Sequence, residues 1–119
     1  MLAVGKHILG HLEDQALRMT SGFAGGVGGT NKDLCGAFSA GVMIIGAIFG
    51  RTEATEDDTL CQQVVKNFRD QFEEKLGALY CYQLRAEDYG SDGKEPCSVL
   101  VERASLVLLE LMEENTKST

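Results

Sequence analysis

The sequence predicts an all-α protein, a compact bundle of four main helices around a central helix rich in glycine and alanine. Apolar residues recur at every fourth position between Leu60 and Leu76, which is the period of a helix. The stretch from Leu34 to Gly50 carries no charge, which is typical of a buried helix. The chain has one proline, and its glycines concentrate between Gly22 and Gly50 instead of marking regular turns. A length of 119 residues suits one domain with one core.

The first helix is predicted over Leu2 to Met19, because Ile8, Leu12 and Ala16 recur at four-residue spacing. The next stretch, Thr20 to Asp33, reads TSGFAGGVGGTNKD and is predicted to be a loop, since it is too rich in glycine for a regular element. It contains neither the G-x-G-x-x-G pattern nor the Gly-Lys-Ser/Thr ending of a phosphate-binding loop. The loop therefore argues against nucleotide binding.

The second helix, from Leu34 to about Ile48, is predicted to be the central one, with Asn31 or Asp33 capping its start. A helix without a polar face is surrounded by protein or by a partner chain. A membrane span is less favoured, because the charge-free stretch is at the short limit for crossing a bilayer. Its small residues form a face that lets another helix approach closely: Gly36, Ala37, Ala40 and Gly41. Its bulky residues lie on another side: Phe38, Val42, Ile45 and Phe49.

The third helix has the clearest amphipathic pattern, and Gly77 interrupts it. Its apolar positions are Leu60, Val64, Phe68, Phe72 and Leu76. A short apolar segment, Leu79 to Leu84, follows the glycine.

A polar loop is predicted from Ala86 to Glu95, and Pro96 suits the first position of a last helix that ends near Met112. Residues 113–119 are predicted to form a flexible tail, so that residues 1–112 make a single helical domain.

The net charge of −7 argues against two classes of partner. Nucleic-acid backbones and anionic lipid surfaces both attract positive charge, and the sequence contains no cluster of lysine and arginine. We therefore expect neither nucleic-acid nor membrane binding. A homodimer is one way to cover an apolar central helix.

The four cysteines are Cys35, Cys61, Cys81 and Cys97. Residues 1–12 do not resemble a secretory signal, because Lys6, His7 and His11 interrupt them. In an acidic chain without such a signal, cysteines are more typical of free thiols, metal ligands or redox groups than of structural disulfides.

Two of the cysteines, Cys35 and Cys97, are each predicted in the first turn of a helix. Free N–H groups there stabilise a thiolate and can lower its pKa. The structural alternative is that both are small buried residues that happen to begin helices. Cys61 lies beside the apolar stripe of the third helix and is interpreted as a core residue. Cys81 lies between aromatic residues in LYCYQL, and taken alone it is also typical of a core.

Three segments together resemble a known family of redox-active proteins. They are ALRMTSGFAGGVGGTNKDLCGAFSAGVMIIGAIFGR, GALYCYQL and EPCSVLVERASLVLLELM. The family is named for the pattern C_GCAxxG_C_C, that is, Cys … Cys-Gly-Ala-x-x-Gly … Cys … Cys. By position, Cys35 matches the cysteine of the Cys-Gly-Ala motif, while Cys81 and Cys97 match the third and fourth cysteines. The later glycine of the motif falls on Ala40.

The family's first cysteine has no counterpart here, and it would fall at or just before residue 1. Either the chain is truncated or this member works with three of the four cysteines. A four-thiolate site therefore needs Cys61, a histidine or a ligand from a second subunit to complete it. The resemblance implies an all-helical fold, a cytoplasmic location and a redox role.

Besides a small membrane-associated component, which rests on the stretch from Leu34 to Gly50, the sequence leaves two main hypotheses open. In the first, Cys35, Cys81 and Cys97 meet at one end of the bundle and act with an unidentified redox partner. They do so either by thiol–disulfide exchange or by binding an iron–sulfur cluster or another soft metal. Backbone N–H groups of nearby glycines would then approach the sulfurs: Gly25, Gly26, Gly28, Gly29 and Gly36. In the second, the chain is a non-catalytic helical interaction or dimerisation module with structural cysteines.

Overall fold

The computed structural model describes residues 2–87, 89 and 95–117 of the protein. This part of the chain forms six α-helices and one short 3₁₀ turn, Ser21–Phe23, without any strand. The all-α prediction is therefore confirmed. The helices are α1 (Leu2–Leu9), α2 (Asp14–Thr20), α3 (Gly36–Phe49), α4 (Thr59–Leu76), α5 (Cys81–Glu87) and α6 (Cys97–Lys117).

The core lies between the three long helices, α3, α4 and α6, which pack on one another. Three phenylalanine rings mark its centre. The ring of Phe38 stacks on that of Phe68 at 5.4 Å between centroids, and both meet Phe72 edge-on at 5.3 and 5.9 Å. Such ring pairs stabilise the folded state beyond what burial of their apolar surface alone contributes. The apolar stripe predicted for α4 is the stripe that packs here, apart from its exposed first residue, Leu60.

The single helix predicted from Leu2 to Met19 is wrong in extent, because the chain breaks at Gly10. Gly10 has a φ of 79°, which glycine adopts without steric cost, and its N–H donates to the carbonyl of Lys6. The break turns the chain so that Leu12 packs against Gly5. The apolar spacing therefore extends over two short helices, α1 and α2, and α2 has no buried residue.

The predicted caps of the central helix are also wrong. Cys35, and neither Asn31 nor Asp33, is the N-cap residue of α3, and its side chain makes no capping hydrogen bond. Further along the chain, Gly77 ends α4 as predicted, with a φ of 97°.

Helix α6 follows Pro96 directly and continues to Lys117, beyond the predicted end near Met112. Much of the predicted loop from Ala86 to Glu95 lies outside the described residues, as do residues 118 and 119 of the predicted tail. In the described residues, no helix combines the length and the apolar character needed to cross a lipid bilayer.

Replacement of Phe68 by alanine tests the position of the core. The Phe68 side chain is fully buried, so Phe68→Ala should lower the free energy of unfolding by roughly 3–5 kcal/mol. Leu60→Ala, on the same helix at a side chain that is 47 % exposed, should cost less than about 1 kcal/mol. Urea unfolding followed by circular dichroism measures both. Equal losses for the two variants would contradict this core.

Candidate functional site

The loop between α2 and α3, residues 21–35, contains a left-handed turn over residues 25–29. All five residues, Gly25 to Gly29, have φ between 65° and 70°. An L-residue with a side chain loses about 1–2 kcal/mol in this conformation, which explains why four of the five are glycine. The exception, Val27, is a β-branched residue at a φ of 67°, and such residues rarely adopt this region.

Backbone hydrogen bonds close the left-handed turn on itself. The N–H groups of Gly28 and Gly29 donate to the carbonyls of Gly22 and Ala24 at 2.9 and 3.0 Å. Asn31 N–H donates to the carbonyl of Gly25 at 2.8 Å. The amides of Gly28 and Gly29 thus bond within the loop, whereas the sequence had suggested that they approach a sulfur. Gly25 and Gly36 lie nearer to the cysteines, on the cavity described below.

Two backbone hydrogen bonds connect the start of α3 to the start of α5. Cys35 N–H donates to the carbonyl of Leu79 at 2.8 Å, and Cys81 N–H donates to the carbonyl of Asp33 at 2.9 Å. Together they form an isolated antiparallel bridge between Leu34 and Tyr80, called the Leu34–Tyr80 bridge below. The bridge brings Cys35 and Cys81, which are far apart in the sequence, to adjacent helix starts.

The left-handed turn packs directly against Cys81. A Cβ atom on Gly26 would lie 2.7 Å from the Cβ of Cys81, a distance that real side chains do not adopt. The thiol of Cys81 is 3.4 Å from the side-chain oxygen of Asn31, which accepts its hydrogen bond. Asn31 has a φ of 60°, a conformation that asparagine tolerates better than most residues. The loop therefore supplies both the space and a polar partner for this cysteine.

Cys35, Cys81 and Cys97 all line one cavity of about 560 Å³, called the thiol cavity below. Cys35 and Cys81 are buried, at 5 % and 7 % exposure, and Cys97 at the start of α6 is half-buried. Cys61 lies in the core on α4 and does not line the cavity. The three family-matched cysteines thus line one cavity and the fourth does not, while the functional roles assigned to them from the sequence stay predictions.

Burial raises the pKa of the Cys35 thiol above its ordinary value, although the backbone N–H groups of Ala37 and Phe38 act in the opposite direction. Negative charge on Cys81 or Cys97 would raise it further. The expectation of a lowered pKa at Cys35 is therefore wrong, because desolvation outweighs the helix N-terminus. Burial also raises the pKa of Cys81, and the nearby charge of Arg85 partly offsets this.

All four cysteines are free thiols. Across residues 2–87, 89 and 95–117, no three His, Cys, Asp or Glu side chains are grouped closely enough to hold one metal ion. The arrangement therefore does not fit a metal or cluster bound by Cys35, Cys81 and Cys97 alone. Their assignment as metal ligands stays a prediction.

Two residues of the site were not identified from the sequence as functional. Asn31 was expected only as a cap, although an asparagine at the end of a glycine-rich stretch is typical of a left-handed residue. Arg85 follows Cys81 by four residues, a spacing that places both on one helix face. With a helix beginning at Cys81, that spacing predicts a cation beside the cysteine.

A family model described as "Putative redox-active protein (C_GCAxxG_C_C)" matches residues 1–111 of the chain. No curated protein and no solved structure matches the chain. The family match covers the glycine-rich loop and all three cysteines of the thiol cavity.

A series of glycine-to-alanine variants separates backbone strain from contact with Cys81. Gly28→Ala should cost about 1–2 kcal/mol, because φ is positive but no atom lies near. Gly26→Ala should cost more and should change the alkylation rate of Cys81, since the new Cβ also collides with that residue. Gly22→Ala is the matched control, without positive φ or contact. Urea unfolding and peptide mapping after alkylation measure these effects, and equal behaviour of all three variants would refute the packing.

The pKa of Cys35 can be measured in a chain that keeps it as the sole cysteine. Thiolate absorbance should rise at a higher pH in the folded protein than in the same chain in concentrated urea, because burial raises the pKa. The same measurement on a chain that keeps Cys61 as its sole cysteine compares Cys35 with a thiol that lies outside the thiol cavity. A folded-state midpoint for Cys35 below the unfolded one would show instead that the helix N-terminus dominates.

Proposed function

The chain belongs to the C_GCAxxG_C_C family of redox-active proteins, and on that premise we propose that it acts by thiol–disulfide exchange. Cys97 is the attacking thiol, Cys81 is the resolving thiol, and an external disulfide is the substrate. The observation that carries the proposal is that the three family cysteines line one cavity, while Cys61 lies elsewhere.

Cys97 is the first to react because it is the least buried of the three. Its thiolate attacks one sulfur of a disulfide R–S–S–R, a Cys97–S–S–R bond forms, and R–S⁻ leaves and takes up a proton. The cysteines that begin α3 and α5 are less suited to this step. Each is buried, which makes it less accessible to a substrate, and burial raises the pKa of its thiol above the ordinary value.

Cys81 completes the exchange. Its thiolate attacks the Cys97 sulfur, a Cys81–Cys97 disulfide forms, and the second R–S⁻ is released and protonated. The substrate disulfide has then gained two electrons from two protein thiols. The guanidinium of Arg85 favours the Cys81 thiolate, which supports Cys81 over Cys35 as the resolving residue.

Cys35 shares the cavity but has no attacking role in this scheme. Because the three thiols line one mainly apolar cavity, negative charge on Cys81 or Cys97 opposes ionisation of Cys35. Cys35 therefore keeps its proton while one of the other two reacts. An external dithiol then reduces the protein again. A reducing compartment such as the cytoplasm would supply such a dithiol. A cytoplasmic location and a homodimer remain predictions.

Partial oxidation followed by alkylation and peptide mapping tests the proposal. In a graded buffer of oxidised and reduced glutathione, two of the four thiols should be lost together, as a Cys81–Cys97 disulfide. Cys97→Ser should slow oxidation at least about tenfold, since the buried thiols react only after local opening. Cys35→Ser should still form the disulfide.

Cys61→Ser is the matched control and should oxidise like the parent chain, because Cys61 lies outside the thiol cavity. Oxidation through Cys61, or an unchanged rate in Cys97→Ser, would contradict the proposal. If protein purified without oxygen contains iron or zinc bound through these cysteines, the thiol-exchange proposal is contradicted and metal binding is favoured.

A further inference from the structure

Asn31 is the residue of the glycine-rich loop whose side chain bonds to a thiol of the cavity. The Sγ atom of Cys81 lies 3.4 Å from the Oδ1 atom of Asn31, and the S–H group donates while the amide carbonyl accepts. The two residues are 50 positions apart in the sequence. The bond is therefore a tertiary contact between the loop and the start of α5.

Backbone contacts hold both partners of this bond. Asn31 N–H donates to the carbonyl of Gly25 at 2.8 Å. Cys81 N–H donates to the carbonyl of Asp33 at 2.9 Å. Gly26 packs against both partners, since a Cβ atom there would lie 2.7 Å from the Cβ of Cys81 and 3.0 Å from the Cα of Asn31. The side-chain bond thus joins two backbones that are already placed, and it fixes the direction of the Cys81 sulfur.

This hydrogen bond can form in one redox state only. A thiol carries a hydrogen that it can donate, whereas a disulfide sulfur carries none. When Cys81 gives up its proton and bonds to the Cys97 sulfur, R–S⁻ leaves and takes up a proton, and the Asn31 carbonyl loses its donor. A contact that exists only in the reduced protein stabilises the reduced form and makes the disulfide easier to reduce.

We propose that Asn31 is a positioning residue of the thiol cavity: its side-chain carbonyl holds reduced Cys81 and shifts the equilibrium with the Cys81–Cys97 disulfide toward the two thiols. The redox part of this inference rests on the thiol exchange proposed above. Asn31 acts through Cys81 and does not itself react. With the amide in place, the oxidised protein passes its disulfide to an external dithiol more readily than it would without the amide.

The hydrogen bond is tested without redox chemistry in a chain that keeps Cys81 as its sole cysteine. Infrared spectroscopy detects the S–H stretch in a region free of other protein bands, and the band moves to lower wavenumber when the thiol donates. Asn31→Gly should move it to higher wavenumber, because glycine keeps the φ of 60° but has no side-chain acceptor. Asn31→Asp should leave it at or below the parent wavenumber, since a carboxylate also accepts.

The redox equilibrium is measured with all four cysteines present, in buffers of oxidised and reduced glutathione. Asn31→Gly should increase the equilibrium constant for formation of the Cys81–Cys97 disulfide about fivefold, which is about 20 mV for two electrons. Asn31→Asp should decrease it, because a charged acceptor binds the thiol more strongly. A residue that only packs the loop would move both variants in the same direction, so opposite signs identify the hydrogen bond.

Thr30→Val is the matched control in the same loop. The Thr30 hydroxyl bonds within the loop, to the carbonyls of Gly26 and Val27, both at 2.9 Å. Its loss should lower the free energy of unfolding in urea but should leave the S–H band and the redox equilibrium unchanged. Circular dichroism of each variant checks that it folds.

The outcomes separate this inference from the proposed function. The inference is overturned if the S–H band does not move in Asn31→Gly, or if the redox equilibrium shifts in the same direction in Asn31→Gly and Asn31→Asp. It is also overturned if Thr30→Val shifts the equilibrium as much as Asn31→Gly does. Thiol exchange can still stand in each case. If the band moves as expected but no Cys81–Cys97 disulfide ever forms, the hydrogen bond stands, whereas the proposed function and the redox role of Asn31 both fail.

Discussion

The site depends on the two backbone hydrogen bonds of the Leu34–Tyr80 bridge. They fix the start of α3 beside the start of α5 and so place Cys35 and Cys81 on one cavity. The start of α3 has no side-chain cap that could do this. The left-handed turn also positions Cys81. It places Gly26 against Cys81, where a larger residue would not fit, and Asn31 accepts the hydrogen bond of the Cys81 thiol. Loss of either would therefore disturb the position of Cys81 beside the start of α3.

Two opposing effects determine the chemistry of the thiols. The N–H groups at the start of α3 favour a thiolate at Cys35, but removal from water disfavours it more strongly. A buried cysteine at a helix start is therefore not automatically a reactive one. The exchange proposed above therefore uses the half-buried Cys97 as the accessible thiol. It uses Cys81, whose raised pKa is partly offset by Arg85, as the sheltered one.

Sequence periodicity predicted the long helices well, because a buried face repeats every three to four residues whatever its partner. The stripe of α4 and its end at Gly77 are examples. The same periodicity wrongly predicted one helix where the structure has α1 and α2. An apolar repeat does not reveal that the helix ends at a single glycine such as Gly10. For the site, the family pattern identified the three cysteines. It could not supply the Leu34–Tyr80 bridge or the space beside α3, because small residues are equally compatible with close helix packing and with a cavity.

The central claim is that Cys35, Cys81 and Cys97 share one site from which Cys61 is absent. Phenylarsine oxide tests it most directly, because its arsenic binds two thiols only when they lie close together. Mass spectrometry of the native protein should find one arsenic per chain, bound through cysteines of the thiol cavity, and the same result for Cys61→Ser. Failure of the native protein to bind arsenic, or binding that is lost in Cys61→Ser, would contradict the account.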